Sequence, residues 1–235
     1  MSIADLRKEY KLGVLRRQDM NPDPIAQFHS WFEAATGSRA GGRVRKFFVG
    51  FFKSLQMLAG AAPPDVSAMT LATADKSGKP SARIVLLKGV DQRGFIFFTN
   101  YESRKGHELT ENAQAALAFY WPDLERQICI AGSVTRISTA ESDAYFQSRP
   151  RGSRLATWVS KQSGVVRDRA ELQQRWKELD ARYSKEEVPR PPYWGGYVLS
   201  PERIEFWQGG PSRLHDRIQY TRQSDNKWSI DRLAP

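Results

Sequence analysis

Short apolar runs with strand-like alternation, separated by turn residues, place the strongest constraint on the fold of this chain. Residues 75–80 and 89–94 read as turns, so the first three runs form a meander. Helical periodicity is confined to the segments that flank the strands. The sequence therefore predicts a mainly β fold of the α+β class, an antiparallel β-barrel with peripheral helices. The runs occupy residues 68–74, 81–88, 95–99, 115–121, 127–137, 194–200, 203–207 and 213–217, and a last one passes through residues 228–230.

Four further segments have the pattern of helices. Each starts at or near a residue type that caps helices, namely Asp23, Ser103, Thr139 and Asp168. The first segment is predicted to face the core, and the last to be exposed with one apolar face. Residues 151–164 are polar and punctuated by glycine, and they are assigned no regular element.

The length of 235 residues suits one large domain, which we place at residues 21–235 behind a mobile basic segment at residues 1–20. Residues 38–62 look unlike the rest of the chain, because a stripe of phenylalanines there lies beside lysines and arginines. A basic amphipathic helix of this kind permits membrane contact through residues 43–58, although it is too short and too charged to span a bilayer. Packing on its own protein or on a subunit is the favoured interpretation.

The formal net charge of +10 suits nucleic acid, an anionic membrane or phosphorylated small molecules. The cations are dispersed along the chain, which argues against a dedicated nucleic-acid-binding arm. Cys129 is the single cysteine, so no internal disulfide is expected, and a cytoplasmic location is predicted. The spacing of the three histidines predicts no metal site. No Gly-x-Ser-x-Gly elbow, Gly-x-Gly-x-x-Gly or Walker loop is present.

Residues 203–217 carry the densest mix of reactive side chains. Strand alternation from residue 213 onward places Arg213, His215 and Arg217 on one face, as a cationic wall suited to a phosphate or carboxylate. The imidazole adds a group that exchanges protons near neutral pH. A solvated hairpin edge is the alternative. Residues 103–105 and 148–153 are two more clusters of cations and hydroxyls, so more than one phosphate is expected.

A series of motifs in order along nearly the whole chain resembles the pyridoxine (pyridoxamine) 5′-phosphate oxidase family. The resemblance implies an FMN-binding split barrel that works as a homodimer, with each flavin between subunits. The motifs are Arg7-Lys8-Glu9-Tyr10, the run from Arg83 to Lys88, Phe98-Thr99-Asn100, Ser103-Arg104-Lys105, Glu125-Arg126-Gln127, Tyr145-Phe146-x-Ser148-Arg149-Pro150, the run from Trp158 to Ser163, Trp194-Gly195-Gly196, Phe206-Trp207-Gln208-Gly209, the run from Arg213 to Arg217 and the run from Asp231 to Pro235.

The resemblance also implies a reaction and its cofactor. Pyridoxamine 5′-phosphate or pyridoxine 5′-phosphate would lose a hydride from C4′ to the flavin, and O2 would reoxidise the flavin. The products would be pyridoxal 5′-phosphate and hydrogen peroxide. The residues that the resemblance assigns to FMN are Arg83, Ile84, Val85, Leu86, Leu87, Lys88, Phe98, Thr99, Arg104, Lys105, Gln127, Gln162, Ser163, Trp207 and Arg217.

For the substrate, the resemblance implies a phosphate-binding set and a pair of residues at the reacting carbon. The pair is Arg213, for orientation and electrostatic support, and His215, for hydrogen bonding and proton handling. The N-terminal segment would close over the substrate as a lid. The substrate-binding residues implied are Arg7, Tyr10, Lys88, Tyr145, Arg149, Ser153, Arg213, Leu214 and His215.

Two stretches depart from the family pattern, the insertion at residues 38–62 and residues 152–157. The second keeps Ser153, so phosphate binding is expected to survive. Arg16, Arg17 and Arg232 form either a second site for the phosphorylated product or a solvated cluster. The alternatives for function are a related split-barrel flavin reductase, a non-catalytic pyridoxal phosphate carrier and a nucleic-acid binder, of which the last is not expected.

Overall fold

The computed structural model describes residues 3–5, 9–37 and 65–235. Arg7 and the predicted insertion at residues 38–62 lie outside these ranges. The chain forms two compact units. The terminal unit comprises Met1–Thr70, Leu117–Ile130 and Pro201–Pro235, and the central unit comprises Leu71–Ala116 and Ala131–Ser200. The placement of a single domain at residues 21–235, with a lid before it, stays a prediction.

The described residues contain one nine-stranded sheet, in the order β2-β1-β5-β6-β7-β4-β3, with β8 paired to β7 and to β9. The pairs β3–β4, β4–β7, β7–β8 and β8–β9 are antiparallel. The predicted mainly β, antiparallel architecture is confirmed. The strands are β1 Ala68–Ala74, β2 Pro80–Leu86, β3 Gly89–Asp91, β4 Gly94–Asn100, β5 Gln114–Trp121, β6 Arg126–Arg136, β7 Trp194–Gln208, β8 Asp216–Arg222 and β9 Trp228–Leu233.

Five α-helices accompany the sheet in the described ranges, and four of them match predicted segments. Asp23, Ser103 and Asp168 cap their helices as expected, each by accepting a backbone N–H with its side chain. The third helix is capped by Ser138 and not by the residue after it, because Ser138 and Glu141 form a reciprocal capping box. The helices are α1 Pro24–Thr36, α2 Arg104–Glu111, α3 Thr139–Ser148, α4 Arg151–Val159 and α5 Arg169–Arg182.

Helix α4 occupies a stretch to which the sequence analysis assigned no element. Its apolar residues Leu155 and Val159 are buried, with Ala156 and Trp158 between them, whereas arginines, a glycine and hydroxyl residues fill the other positions. Leu155 packs in the core of the central unit with Phe146 and Trp194. Leu155, Trp158 and Val159 have helical spacing, but this apolar pattern covers only the second half of the helix, so tertiary packing is needed to stabilise it.

The predicted three-strand meander is wrong at its third strand. Strand β4 pairs with β7, about a hundred residues later, and β3 lies within a segment predicted to be a turn. The burial of β4 explains this, since most of its residues are covered on both faces and a sheet edge would expose them. In the pairing, Gly195 lies opposite Thr99 and Gly196 opposite Phe98.

The core of the terminal unit is aromatic. Helix α1 buries Phe28 and Trp31, as its spacing predicts, and these rings contact Phe119 and Phe206 at centroid distances of 5.4 and 5.1 Å. Tyr220 packs behind Phe206 at 5.6 Å. These contacts fix the strand pair β7–β8, which carries the reactive residues of this unit.

Candidate functional site

A cleft of about 940 Å³ opens in the central unit, where β2 and β4 meet the start of α2 and one side of α4. A volume of this size fits a cofactor-sized ligand. The cleft brings together most residues that the resemblance assigns to FMN. It also brings together the four that the resemblance assigns to the substrate phosphate, Lys88, Tyr145, Arg149 and Ser153. Leu87 is 8% exposed and does not line it. The predicted residues that do are Arg83, Ile84, Val85, Leu86, Lys88, Phe98, Thr99, Arg104, Lys105, Tyr145, Arg149, Ser153, Gln162 and Ser163.

The start of α2 forms a cationic corner of this cleft. The Ser103 hydroxyl accepts the Gly106 N–H at 3.3 Å and the Lys105 amine at 3.2 Å. The Lys105 amine also donates to Oε1 of Gln162 at 3.0 Å, and the Arg104 N–H donates to the Ser163 hydroxyl at 3.2 Å. Backbone N–H groups, an amine and hydroxyls at a helix N-terminus are a preferred environment for a phosphate.

Gly106 allows this helix to start where it does. A Cβ at this position would lie 2.0 Å from the backbone oxygen of Tyr101. Any larger residue would therefore displace the first turn of α2 and the amine next to it.

The charge on Lys105 is weakened by its surroundings. The side chain is buried, and burial, followed by repulsion from Arg83, lowers its pKa to about 8, although Glu108 opposes the shift. Near neutral pH the amine therefore has a partly neutral population. An arriving phosphate would restore the charge.

Glu108 is a buried carboxylate beneath the same corner that the sequence analysis missed. It accepts hydrogen bonds from the Thr73 and Ser81 hydroxyls and pairs with Arg83 at 3.2 Å and Arg104 at 3.0 Å. Burial alone would raise its pKa, but these hydrogen bonds together lower it to about 2. It thus stays ionised and fixes both guanidiniums. The i, i+4 spacing to Arg104 was the signal available in the sequence.

Another part of the cleft lining combines stacked rings with a cation. Phe98 stacks on Tyr145 with 3.8 Å between ring centroids, and Trp194 stacks on Phe98 at 5.4 Å. The Arg149 guanidinium lies 4.7 Å from the Trp194 ring centre and donates to the Thr157 hydroxyl at 2.9 Å. Burial lowers the pKa of Arg149 and raises that of Tyr145. Ser153 and the other predicted phosphate ligands lie in the same cleft.

The terminal unit holds a second cluster, formed by Tyr10, Trp207 and His215. The Tyr10 ring meets Trp207 edge-on at 5.5 Å and His215 at 5.7 Å, and Trp207 lies 4.8 Å from His215. Nδ1 of His215 accepts the Gly210 N–H at 3.1 Å. Neutral His215 in this arrangement carries its proton on Nε2, where it is available as a donor.

Arg213 does not lie on a strand, so the predicted strand from residue 213 is wrong. It ends a short 3-10 turn, Pro211–Arg213, and β8 begins only at Asp216. Ser212 and Arg213 have φ of 54° and 64°, a left-handed backbone that non-glycine residues rarely adopt. Arg213 and Leu214 are exposed. The turn, and not strand alternation, sets their direction.

The other predicted residues of the terminal unit have protein partners. Arg217 pairs with Glu205 through two hydrogen bonds of 2.8 and 2.9 Å and donates to the backbone oxygen of Ala234. Gln127 donates to the sulfur of Cys129 at 3.3 Å. Trp207 lies opposite Arg217 in the β7–β8 register. Their roles toward FMN stay predictions.

The three arginines considered for a second phosphate site are not equivalent. Arg232 pairs with Asp216 and donates to the backbone oxygen of Leu15 at 2.7 Å, whereas Arg16 and Arg17 are exposed. Arg232 therefore has a structural role in the terminal unit. A second site for the product stays a hypothesis.

Within the described ranges, no helix is long and apolar enough to cross a membrane. The same residues contain no group of three histidine, cysteine or acidic side chains placed to hold a metal ion.

Comparison with family models assigns residues 61–235. Residues 61–208 match the model described as pyridoxamine 5′-phosphate oxidase. The chain belongs to this family. Residues 194–235 match the pyridoxine 5′-phosphate oxidase C-terminal dimerisation region, which supports a homodimer.

Curated relatives of similar length carry one name. A pyridoxine/pyridoxamine 5′-phosphate oxidase of Paraburkholderia phymatum is 52% identical over 234 residues, covering 100% of this chain and 99% of that protein. One of Burkholderia mallei is 51% identical over 236 residues, with the same coverage. These names support an oxidoreductase of this family.

Solved structures confirm the split-barrel fold class. PhzG from Burkholderia lata, in complex with tetrahydrophenazine-1-carboxylic acid, has a TM-score of 0.77 at 30% identity and covers 95% of this chain and 99% of its own. A pyridoxamine 5′-phosphate oxidase-related FMN-binding protein from Nostoc punctiforme has a TM-score of 0.59 at 19% identity, with coverages of 72% and 88%. The second likeness concerns the fold alone.

Proposed function

We propose that this protein is an FMN-dependent oxidase of pyridoxamine 5′-phosphate and pyridoxine 5′-phosphate that uses O2 and releases pyridoxal 5′-phosphate and hydrogen peroxide. With the amine substrate, one water is consumed and ammonia is released as well. The observation that carries the proposal is the cleft of the central unit, which is lined by two sets of cations, here called corners: Arg104 and Lys105 at the start of α2, and Lys88 and Arg149, the latter beside stacked rings. A flavin phosphate and a substrate phosphate need two such corners. The family and the names of its relatives agree with this reading.

The residues around the first corner fit the phosphate end of FMN. The buried amine of Lys105, the Arg104 side chain and the N–H groups at the start of α2 would hold the phosphate, and Glu108 keeps Arg83 and Arg104 in place. When bound, FMN would supply the acceptor for a hydride from the substrate carbon. The amide of Gln162 is positioned by Lys105 and Thr99 and offers a donor to a polar ligand edge.

The second corner fits the phosphate of the substrate. Lys88, Arg149 and the hydroxyls of Tyr145 and Ser153 form a set of cations and donors matched to a dianion. Because the Arg149 guanidinium is held against Trp194 and by Thr157, it needs little reordering when a ligand arrives.

In the proposal, Arg213 orients the substrate ring, and His215 hydrogen-bonds at the reacting carbon through Nε2. The Gly210 N–H keeps the proton on that nitrogen. The homodimer would place each flavin between subunits. A cytoplasmic location belongs to the proposal as well, motivated by the single cysteine.

The deciding experiment is anaerobic reduction of the purified, FMN-loaded protein. We expect pyridoxamine 5′-phosphate or pyridoxine 5′-phosphate to bleach the flavin absorbance and air to restore it, with one hydrogen peroxide formed per pyridoxal 5′-phosphate. The unphosphorylated vitamers are the matched controls and should bleach it far more slowly. A flavin that stays oxidised with both phosphorylated substrates would refute the proposal, and aldehyde formation without peroxide would refute its oxidase part.

A second candidate is a related split-barrel flavoenzyme with a different substrate, favoured by the 30% identity to PhzG. The higher identity to the named oxidases and the phosphate-binding set argue against it. A substrate panel that includes reduced phenazine carboxylates separates the two. A non-catalytic pyridoxal phosphate carrier would bind that aldehyde and form no peroxide.

A further inference from the structure

Residues 10–15, here termed the strap, are anchored at both ends in the terminal unit. The backbone N–H groups of Lys11 and Leu12 both donate to Oε2 of Glu125, at 2.8 and 3.0 Å. At the other end, the Leu15 N–H donates to Asp216 at 2.9 Å. Two carboxylates thus hold a segment from the start of the chain, more than a hundred residues away in sequence.

The first anchor directly follows Tyr10. The Tyr10 ring lies over Gly209, where a Cβ would be only 2.7 Å from it, and its edge contacts reach Trp207 and His215. Its hydroxyl is hydrogen-bonded to Tyr120, and this bond is the main reason that the pKa of Tyr120 is raised to about 12. The position of Tyr10 beside His215 therefore depends on where the next two residues are held.

Glu125 is a rigid anchor. Its side chain is buried, at 4% exposure, and its backbone has the left-handed φ of 52°. The carbonyl of Glu125 accepts the Gly209 N–H at 2.8 Å and the Gln208 side-chain amide at 3.2 Å, which hold this unfavourable conformation. An ionised carboxylate that accepts two backbone N–H groups forms stronger hydrogen bonds than a neutral acceptor.

We infer that Glu125 is a positioning residue: its carboxylate fixes Lys11 and Leu12 and thereby places Tyr10 beside His215, so that it governs substrate binding without touching the substrate. The inference rests on the proposed function, because only there are Tyr10 and His215 assigned to the substrate. Glu125 is not among the residues that the resemblance assigns to a ligand.

The test uses the full-length, FMN-loaded protein with Glu125→Ala. We expect hydrogen exchange at the amides of residues 11 and 12 to become at least about tenfold faster, equivalent to about 1.4 kcal/mol. We expect KM for pyridoxamine 5′-phosphate to rise about tenfold with a smaller change in kcat and unchanged flavin retention, because ground-state binding is what the strap supplies. Glu125→Gln keeps an oxygen acceptor and should recover most of both effects.

Two variants guard against a trivial loss of folding. Glu125→Gly also removes the carboxylate but suits the positive φ, so the turn should survive. Glu9→Gln is the matched control, because Glu9 pairs with the Lys11 amine at 2.6 Å on the surface and binds no backbone N–H of the strap in the structure. It should leave exchange and KM unchanged.

A double mutant tests whether Glu125 acts through Tyr10. In the Tyr10→Ala background, Glu125→Ala should add little to KM, because the side chain that it positions is gone. Additive effects would overturn the inference, as would unchanged exchange in both Glu125→Ala and Glu125→Gly, or faster exchange with unchanged KM. If the wild type oxidises neither B6 phosphate, the proposed function fails, and the exchange measurement alone then decides whether Glu125 holds the strap.

Discussion

FMN affinity should depend on pH through Lys105. The pKa of this buried amine is about 8 before a phosphate arrives, so its protonated fraction falls from about nine tenths at pH 7 to about one tenth at pH 9. The flavin phosphate stays a dianion over this range, because its second pKa is near 6. Binding a dianion requires the charged amine, and the dissociation constant for FMN should therefore rise about tenfold between pH 7 and pH 9.

Stability of the cofactor-free protein should change in the opposite direction. The folded pKa of Lys105 lies below its ordinary value of 10.5, so the unfolded chain binds more protons between pH 8 and 10.5. The Lys105 contribution to the free energy of unfolding therefore rises with pH in that window, by at most about 1.4 kcal/mol per pH unit. The protein should hold its cofactor less firmly while its fold gains stability.

The assay is a titration of the cofactor-free protein with FMN at pH 7, 8 and 9, followed by the quenching of flavin fluorescence. Lys105→Arg is the control, because a guanidinium stays charged throughout and should abolish the slope. Lys105→Met should bind FMN weakly at every pH. A wild-type dissociation constant that is the same at pH 7 and pH 9, or an equal slope in Lys105→Arg, would refute the role of this amine.

Three further predictions concern other residues of the central unit. Glu108→Gln should lower the free energy of unfolding at pH 7 by about 3 kcal/mol, because the pKa of this carboxyl is about 2 in the folded protein and 4.5 in the unfolded chain. This stabilisation is complete at pH values above 4.5 and is lost as the pH falls toward 2. An unchanged urea midpoint in the variant would contradict the prediction. Gly106→Ala should prevent stable folding or lower the melting temperature far more than Gly78→Ala. The new methyl group at residue 106 would clash with the backbone of Tyr101, whereas at residue 78 it would meet no atom and the φ of 81° would be the only source of strain. Arg149→Lys should raise KM for both phosphorylated substrates about tenfold, because an amine cannot bind a phosphate in a bidentate manner. It should leave FMN affinity unchanged. Weaker FMN binding would show that Arg149 binds the cofactor instead.

The local elements were largely predictable from the sequence. Alternation and turn residues located the strands, and Asp23, Ser103 and Asp168 marked three helix starts by side-chain chemistry that acts within a few residues. The pairing of β4 with β7 was not predictable in this way, because nothing local links strands so far apart. Helix α4 was missed because its stability comes from burying Leu155 in the core.

The candidate site was also predictable in part from the sequence. Motifs identified Lys105, Arg149 and His215, and the structure places the first two in the cleft and the third beside Tyr10 and Trp207. Glu108 was missed and Glu125 was quoted only as part of a motif, since each acts on other protein groups; the i, i+4 spacing of Glu108 to Arg104 indicates a pair but not its burial. Arg213 was identified, but the strand conformation predicted for it was wrong, because strand alternation does not apply inside a turn with positive φ.

The two glycines of β7 limit how this cleft can be altered. A Cβ at Gly195 would lie 2.1 Å from the Tyr101 hydroxyl, and one at Gly196 would lie 2.4 Å from the Ile137 side chain. A larger residue at either position would therefore have to displace the side chain that it meets. Helix α4 is different, because Ala156 and Ser160 line the cleft with small side chains. New substrate preferences should arise there, by enlarging residues on one helix while the glycine strand stays constant.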